Sequence, residues 1–90
     1  PEWWNDEGLK ALSARVVRVV PNDETANSMR AVVLSGGSGD AWEVGPRSAA
    51  ELKEAATYYE RSAALCNSPA LKAGRADLAR WARSLAGHRM

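Results

Sequence analysis

The strongest constraint on the fold of this sequence is a helix-start signal at Ser48. The segment Ser48-Ala49-Ala50-Glu51 has the spacing of a capping box, in which the serine hydroxyl and the glutamate carboxylate each accept a hydrogen bond from the other residue's backbone N–H. Apolar residues then recur at steps of three and four, at Leu52, Ala55, Ala56, Tyr59, Ala63 and Cys66. The pattern predicts a helix over about residues 49–66 with one face turned to a core.

A helix is also predicted near the start of the chain, over about residues 6–20. Asn5 is a suitable N-cap, and Pro21 ends the segment. Its apolar positions are Leu9, Leu12, Val16 and Val19, again at helical spacing. The β-branched run 16–20 would also suit a strand, but the sequence offers no second run of comparable length to pair with it.

The second predicted helix, over about 23–35, is followed by a long loop. Asn22 and Asp23 are both good caps, and Gly36 marks the stop. Four glycines and a proline then make residues 36–47 a loop. The Trp42 side chain on this loop either anchors a partner protein or folds back over the core.

The last predicted helix covers about residues 69–86, with Ser68 as its cap and Pro69 at its first position. Leu71, Gly74, Leu78, Trp81 and Leu85 alternate at steps of three and four. Because glycine weakens a helix interior, Gly74 is expected to let a neighbouring helix approach closely. Four helices and no strand predict a single all-α domain over residues 1–90.

Composition excludes several classes of protein. The chain has 90 residues and one cysteine, Cys66, so it cannot form an internal disulfide, and a reducing compartment such as the cytoplasm is expected. No apolar run approaches the length needed to cross a membrane.

Residues for catalysis are sparse. His88 is the single histidine and lies two residues from the end, where helices fray. The run Gly36-Gly37-Ser38-Gly39 lacks the lysine of a phosphate-binding loop. We therefore expect no enzymatic activity, no metal site and no cofactor.

The charge is uneven along the chain. Residues 67–90 carry five basic groups against Asp77 alone, although the net charge is only +1. This favours a solvated helix face, and it makes nucleic-acid binding a less favoured interpretation than protein binding.

The third helix carries a resemblance to a known family. The segment from Glu54 to Leu65 resembles the second helix of a tetratricopeptide repeat (TPR), with Ala55 and Ser62 at small positions and Tyr59 at the aromatic one. In the preceding helix, Ala31 and Leu34 match the family's small and large packing positions. Asn27 and Arg30 depart from the pattern, because the family favours Trp and Leu at those positions. The resemblance implies two antiparallel helical hairpins in a right-handed TPR-like stack.

This resemblance also implies a function. TPR-like stacks are scaffolds or adaptors that hold a protein or peptide partner on their concave face. Carried over to this sequence, that face would be formed by Thr25, Ser28, Val32 and Ser35, with Trp42 as a further partner anchor. The alternative is a structural helical bundle that self-associates, as a homodimer for example, through Trp3 and Trp4.

Overall fold

The secondary structure of the described part of the chain consists of four α-helices joined by short connections, with no strand among the described residues. A computed structural model describes residues 5–36 and 47–88, and these residues form α1 (Asp6–Val19), α2 (Glu24–Ser35), α3 (Ala49–Leu65) and α4 (Pro69–Gly87). The all-α prediction is confirmed, and each helix bound lies within one residue of its predicted position. The β-branched run at 16–19 is helical, which removes the strand alternative.

The helix starts follow the predicted capping chemistry. Ser48 Oγ accepts from the Glu51 N–H at 3.1 Å, and Glu51 Oε1 accepts from the Ser48 N–H at 3.0 Å, which completes the capping box. Asn5, Asp23 and Ser68 cap the other three helices through their side chains. At the end of α2, Gly36 has a φ of 75°, a left-handed conformation that glycine adopts at little cost.

The helices pack in chain order, with α1 on α2, α2 on α3 and α3 on α4. The core between α2, α3 and α4 is formed mostly by small side chains: Ala31, Leu34, Ala55, Ala56, Tyr59, Ala79 and Ala82. Alanine at so many contact positions lets the helix backbones approach closely. The contact surface of α3 is the one that the sequence predicts, apart from Cys66, which is only half-buried.

In α1 and α4, however, the predicted apolar stripe is not the buried face. The buried residues of α1 are Ser13 and Val17, whereas Val19 is 79% exposed. In α4 the buried residues are Ala79, Ala82 and Ala86. At 3.6 residues per turn, the larger apolar side chains of α4 lie roughly a quarter turn away from these alanines.

Gly74 is not a point of close helix approach, contrary to the prediction from the sequence. A side chain added there would meet no atom within 4 Å, and the residue is exposed. Among the described residues, therefore, no neighbouring helix approaches α4 at this glycine, because α3 packs against the alanine face instead.

Candidate binding groove

A groove of about 490 Å³ opens along α2, between α1 and the start of α4. Its lining residues are Leu9, Leu12 and Ser13 from α1, Thr25, Ser28, Met29, Val32 and Val33 from α2, and Arg75 from α4. The volume lies within the range of pockets that hold small molecules or peptide side chains. Most of the lining side chains are apolar or small, so the groove suits an apolar ligand segment.

The position of this groove follows from the helical period of α2. Asn27, Ala31 and Leu34 are buried, and two of them, Ala31 and Leu34, belong to the core shared with α3 and α4. Thr25, Ser28 and Val32 recur at steps of three and four on another face, so they align along the same side of the helix. The small side chains Thr25 and Ser28 leave space between α1 and α4.

Three of the four groove residues inferred from the family resemblance, Thr25, Ser28 and Val32, line this groove together. Ser35 does not line it. Ser35 is buried, and its hydroxyl lies 3.2 Å from the Tyr59 hydroxyl. Burial raises the pKa of Tyr59 above its ordinary value, while the hydrogen bond with Ser35 acts in the opposite direction. Ser35 is therefore a core residue because the turn of α2 carries it towards α3.

The other predicted contact residues, Trp42, Trp3 and Trp4, lie outside the described residues.

The α4 wall of the groove is formed by Arg75, which pairs with Glu24 at the start of α2. Leu71 and Leu78 lie one turn to either side of Arg75 on the same flank of α4. Both leucines are exposed, as is Trp81 one turn further on. The apolar surface of α4 thus begins beside the groove.

A buried arginine links the start of α1 to the end of α2. Arg47 is only 6% exposed, and it donates to both carboxylate oxygens of Asp6, at 2.8 and 2.7 Å. It also donates to the carbonyl oxygens of Val33 and Leu34, at 2.8 and 3.0 Å. The hydrogen bond with Asp6 raises the pKa of Arg47, so the ion pair remains charged. Arg47 therefore joins the start of α1 to the end of α2 just before α3 begins.

Lys10 and Glu51 form a second link between α1 and α3, with Lys10 Nζ 2.7 Å from Glu51 Oε2. This hydrogen bond raises the pKa of Lys10. Partial burial by itself would raise the pKa of Glu51, but hydrogen bonds from Lys10 and the Ser48 N–H outweigh it, and the pKa of Glu51 is lowered. The α1 wall of the groove is thus tied to the start of α3.

Arg30 and Asn27, the two positions at which the sequence differs from the TPR pattern, make polar contacts at the junction of α1 and α2. Arg30 Nη1 donates to the Lys10 carbonyl at 2.8 Å and to Ser13 Oγ at 3.1 Å, which attaches α2 to α1. Asn27 is fully buried, and its Nδ2 donates to the Pro21 and Asp23 carbonyls at 3.0 and 2.8 Å. Both side chains make polar bonds across the α1–α2 junction, where the family favours apolar packing.

Sequence reasoning missed Arg47 as a structural residue, and it treated Arg30 only as a departure from the family. Their partners lie between 13 and 41 residues away along the chain, so no local pattern reveals them. The single available signal is the position of Arg47, directly before the capping box, where a side chain can reach the ends of neighbouring helices.

Reactive side chains do not converge in the described part of the chain. Nδ1 of the exposed His88 ring lies 3.0 Å from the Ser84 carbonyl oxygen, and Cys66 Sγ lies 3.7 Å from the Ser68 carbonyl oxygen. Within residues 5–36 and 47–88, no three His, Cys, Asp or Glu side chains are grouped so as to hold a metal ion. Over the same residues, none of the helices combines the length and apolar character required to cross a membrane.

Comparison with protein-family models, with curated proteins and with solved structures finds no match to this chain.

Proposed function

We propose that this chain is a non-catalytic interaction module that holds an apolar segment of a protein or peptide partner in the groove along α2. The observation that carries this proposal is the shared lining of one 490 Å³ groove by Thr25, Ser28 and Val32, the same residues that the TPR resemblance assigns to the concave face. In this account the helices form two antiparallel hairpins in a TPR-like, right-handed stack, acting as a scaffold or adaptor.

Polar contacts between α2 and α3 support an antiparallel arrangement of these two helices. Ser62, late in α3, donates to the Glu24 carbonyl at the start of α2, at 3.0 Å. Arg30, further along α2, lies 3.8 Å from Glu54, which precedes Ser62 in α3. The order of contacts is therefore reversed between the two helices, as antiparallel neighbours require.

The nature of the groove favours an apolar ligand over a charged one. Arg75 is the cation among the described lining residues, and Glu24 already pairs with it. A carboxylate on the ligand would compete with this ion pair, whereas leucine-like side chains would bury against Leu9, Leu12 and Val32. The ligand that fits best is thus a short segment with two or three apolar side chains.

The cytoplasm remains the proposed location, because the thiol of Cys66 has no cysteine partner within the chain.

The proposal is tested by selecting random peptides displayed on phage against the 90-residue chain and measuring their affinity by fluorescence anisotropy. Apolar peptides are expected to be enriched. Replacing Ser28 by Arg fills the groove and is expected to weaken their binding at least about tenfold, or about 1.4 kcal/mol.

Thr57→Arg is the matched control, because it adds the same side chain at an exposed position on α3. It should leave affinity unchanged, and circular dichroism should show the same helix content for both variants. Failure to enrich any peptide would contradict the proposal, as would equal binding by Ser28→Arg and the unmodified chain.

A further inference from the structure

The apolar residues of α4 form a surface that the described chain does not cover. We call it the α4 stripe; it consists of Leu71, Gly74, Leu78, Trp81 and Leu85. Leu71 is 54% exposed, Leu78 41% and Trp81 42%, Leu85 is half-buried, and a side chain added at Gly74 would meet no atom within 4 Å. These exposures are large for neighbouring apolar side chains on one helix, which marks the stripe as a contact surface.

The spacing of the α4 stripe is that of a helix–helix seam. Its residues alternate at steps of three and four over two heptads, so they stay aligned along about 21 Å of helix. A second helix can remain in contact over that length, whereas an extended peptide has a different period. The partner that fits is therefore another helix.

The shape of the stripe is complementary to itself in one orientation. When two copies of α4 run antiparallel, the two positions of a heptad seam face each other, which places Gly74 opposite Leu85 of the second copy and Leu78 opposite Trp81 of the second copy. Each small residue then meets a large one. In a parallel pair Gly74 would meet glycine and Trp81 would meet tryptophan, which leaves a gap in one layer and crowds another.

The charged residues of α4 are compatible with the register that pairs Gly74 with Leu85 of the second copy. Asp77, at the edge of the stripe, falls opposite the hydroxyl of Ser84 of the second copy. Sliding the pair by one heptad would instead bring Asp77 against Asp77 of the second copy. The exposed cations Lys72, Arg80 and Arg83 lie on other faces of α4, and the last two already pair with Asp77 and Glu60. No like charges meet across the seam in this register.

We propose that two copies of this chain associate through the α4 stripe, with their α4 helices antiparallel. The stripe contains neither of the residues predicted from the sequence for self-association, Trp3 and Trp4, and the proposal does not depend on a peptide binding in the groove.

Light scattering after size exclusion, over a wide range of concentration, tests the association. The mass is expected to rise from one chain to two. Trp81→Glu introduces a charge in the centre of the seam and should keep the chain monomeric at every concentration. Ala73→Glu is the matched control, because it adds the same charge to an exposed position of α4 outside the stripe, and it should still dimerise.

The antiparallel register is tested by disulfide formation in a Cys66→Ser background. Gly74→Cys combined with Leu85→Cys should form covalent dimers under mild oxidation, whereas Gly74→Cys alone should not. A mass of one chain at all concentrations would overturn the proposal, and so would dimerisation of Trp81→Glu. Rapid crosslinking of Gly74→Cys alone would overturn the antiparallel arrangement. Because peptide affinity is a separate measurement, loss of the dimer with the groove intact would leave the proposed function standing.

Discussion

Helices α3 and α4 have equally regular apolar patterns, yet the apolar face of α3 is buried and most of that of α4 is exposed. In α3 the apolar positions are the buried ones, from Leu52 at 1% exposure to Ala63. In α4 the side chains of Leu71, Leu78 and Trp81 are exposed, while the buried residues are the alanines Ala79, Ala82 and Ala86. Periodicity therefore identifies a helix and its apolar side, but it does not decide whether that side faces the chain's own core.

The reason for the difference is the size of the side chains at the contact. Alanines on α3 and α4 let the two helices approach closely, and a leucine or tryptophan in that seam would push them apart. The larger residues of α4 are then left on an adjacent face. Four predicted outcomes test this contrast, the first three in order of decreasing effect.

Filling the alanine seam should have the largest effect on stability of these first three changes. Ala82 is fully buried, so Ala82→Leu is expected to lower the free energy of unfolding by about 1–3 kcal/mol through overpacking. Ala73→Leu makes the same change at an exposed position of α4 and should have little effect. Urea unfolding followed by circular dichroism measures both values. Equal stability of the two variants would mean that the alanine face is not the contact surface.

Gly74→Ala should stabilise the monomer. A methyl group there meets no neighbour, and alanine is a better helix former than glycine, so a gain of about 0.5–1 kcal/mol is expected. The reverse change at the next residue, Ala73→Gly, should cost a similar amount. Unfolding is measured at low protein concentration, so that the proposed association of two copies does not contribute to the stability. A loss of stability in Gly74→Ala would show that a helix does approach α4 at this point.

Lowering the pH should remove more stability through the Glu51 carboxylate on α3 than through the Asp77 carboxylate on α4. Since the pKa of Glu51 is lower in the folded protein than its ordinary value of 4.5, its contribution to stability is present above that value and is lost as the pH falls through the folded pKa. Glu51→Gln should therefore lower the free energy of unfolding at neutral pH. In acid, the difference in free energy of unfolding between this variant and the unmodified chain should become smaller.

Asp77→Asn is the control for that comparison, because Asp77 belongs to an exposed ion pair on α4 and such pairs contribute little. Urea titrations at several pH values measure both variants. An Asp77→Asn variant with the larger loss at neutral pH would reverse the expected order.

Much of the fold was accessible from the sequence because its signals are local. The capping box at Ser48, the proline at the start of α4 and the glycine at the end of α2 each act within a few residues, and all predict the observed helix ends. Thr25, Ser28 and Val32 were inferred from the family resemblance rather than from a local signal, and all three line the groove.

The remainder depends on partners that are distant in the sequence. The bond between Arg47 and Asp6 spans 41 residues, so no local pattern indicates it. Ser35 was assigned to the groove from the family resemblance, but it is buried and its hydroxyl forms a hydrogen bond with that of Tyr59 in the core. The apolar stripe of α4 was predicted correctly as a pattern, and only the alanine packing between α3 and α4 shows that it faces outwards.

The most direct test of this account is the comparison of Leu52→Ala with Leu78→Ala by urea unfolding at low protein concentration. The same atoms are removed from the apolar stripe of α3 and from that of α4. The account predicts a loss of about 2–5 kcal/mol for Leu52→Ala, which creates a cavity in the core, and less than about 1 kcal/mol for Leu78→Ala. A loss for Leu78→Ala as large as that for Leu52→Ala would contradict it, because the α4 stripe would then belong to the core.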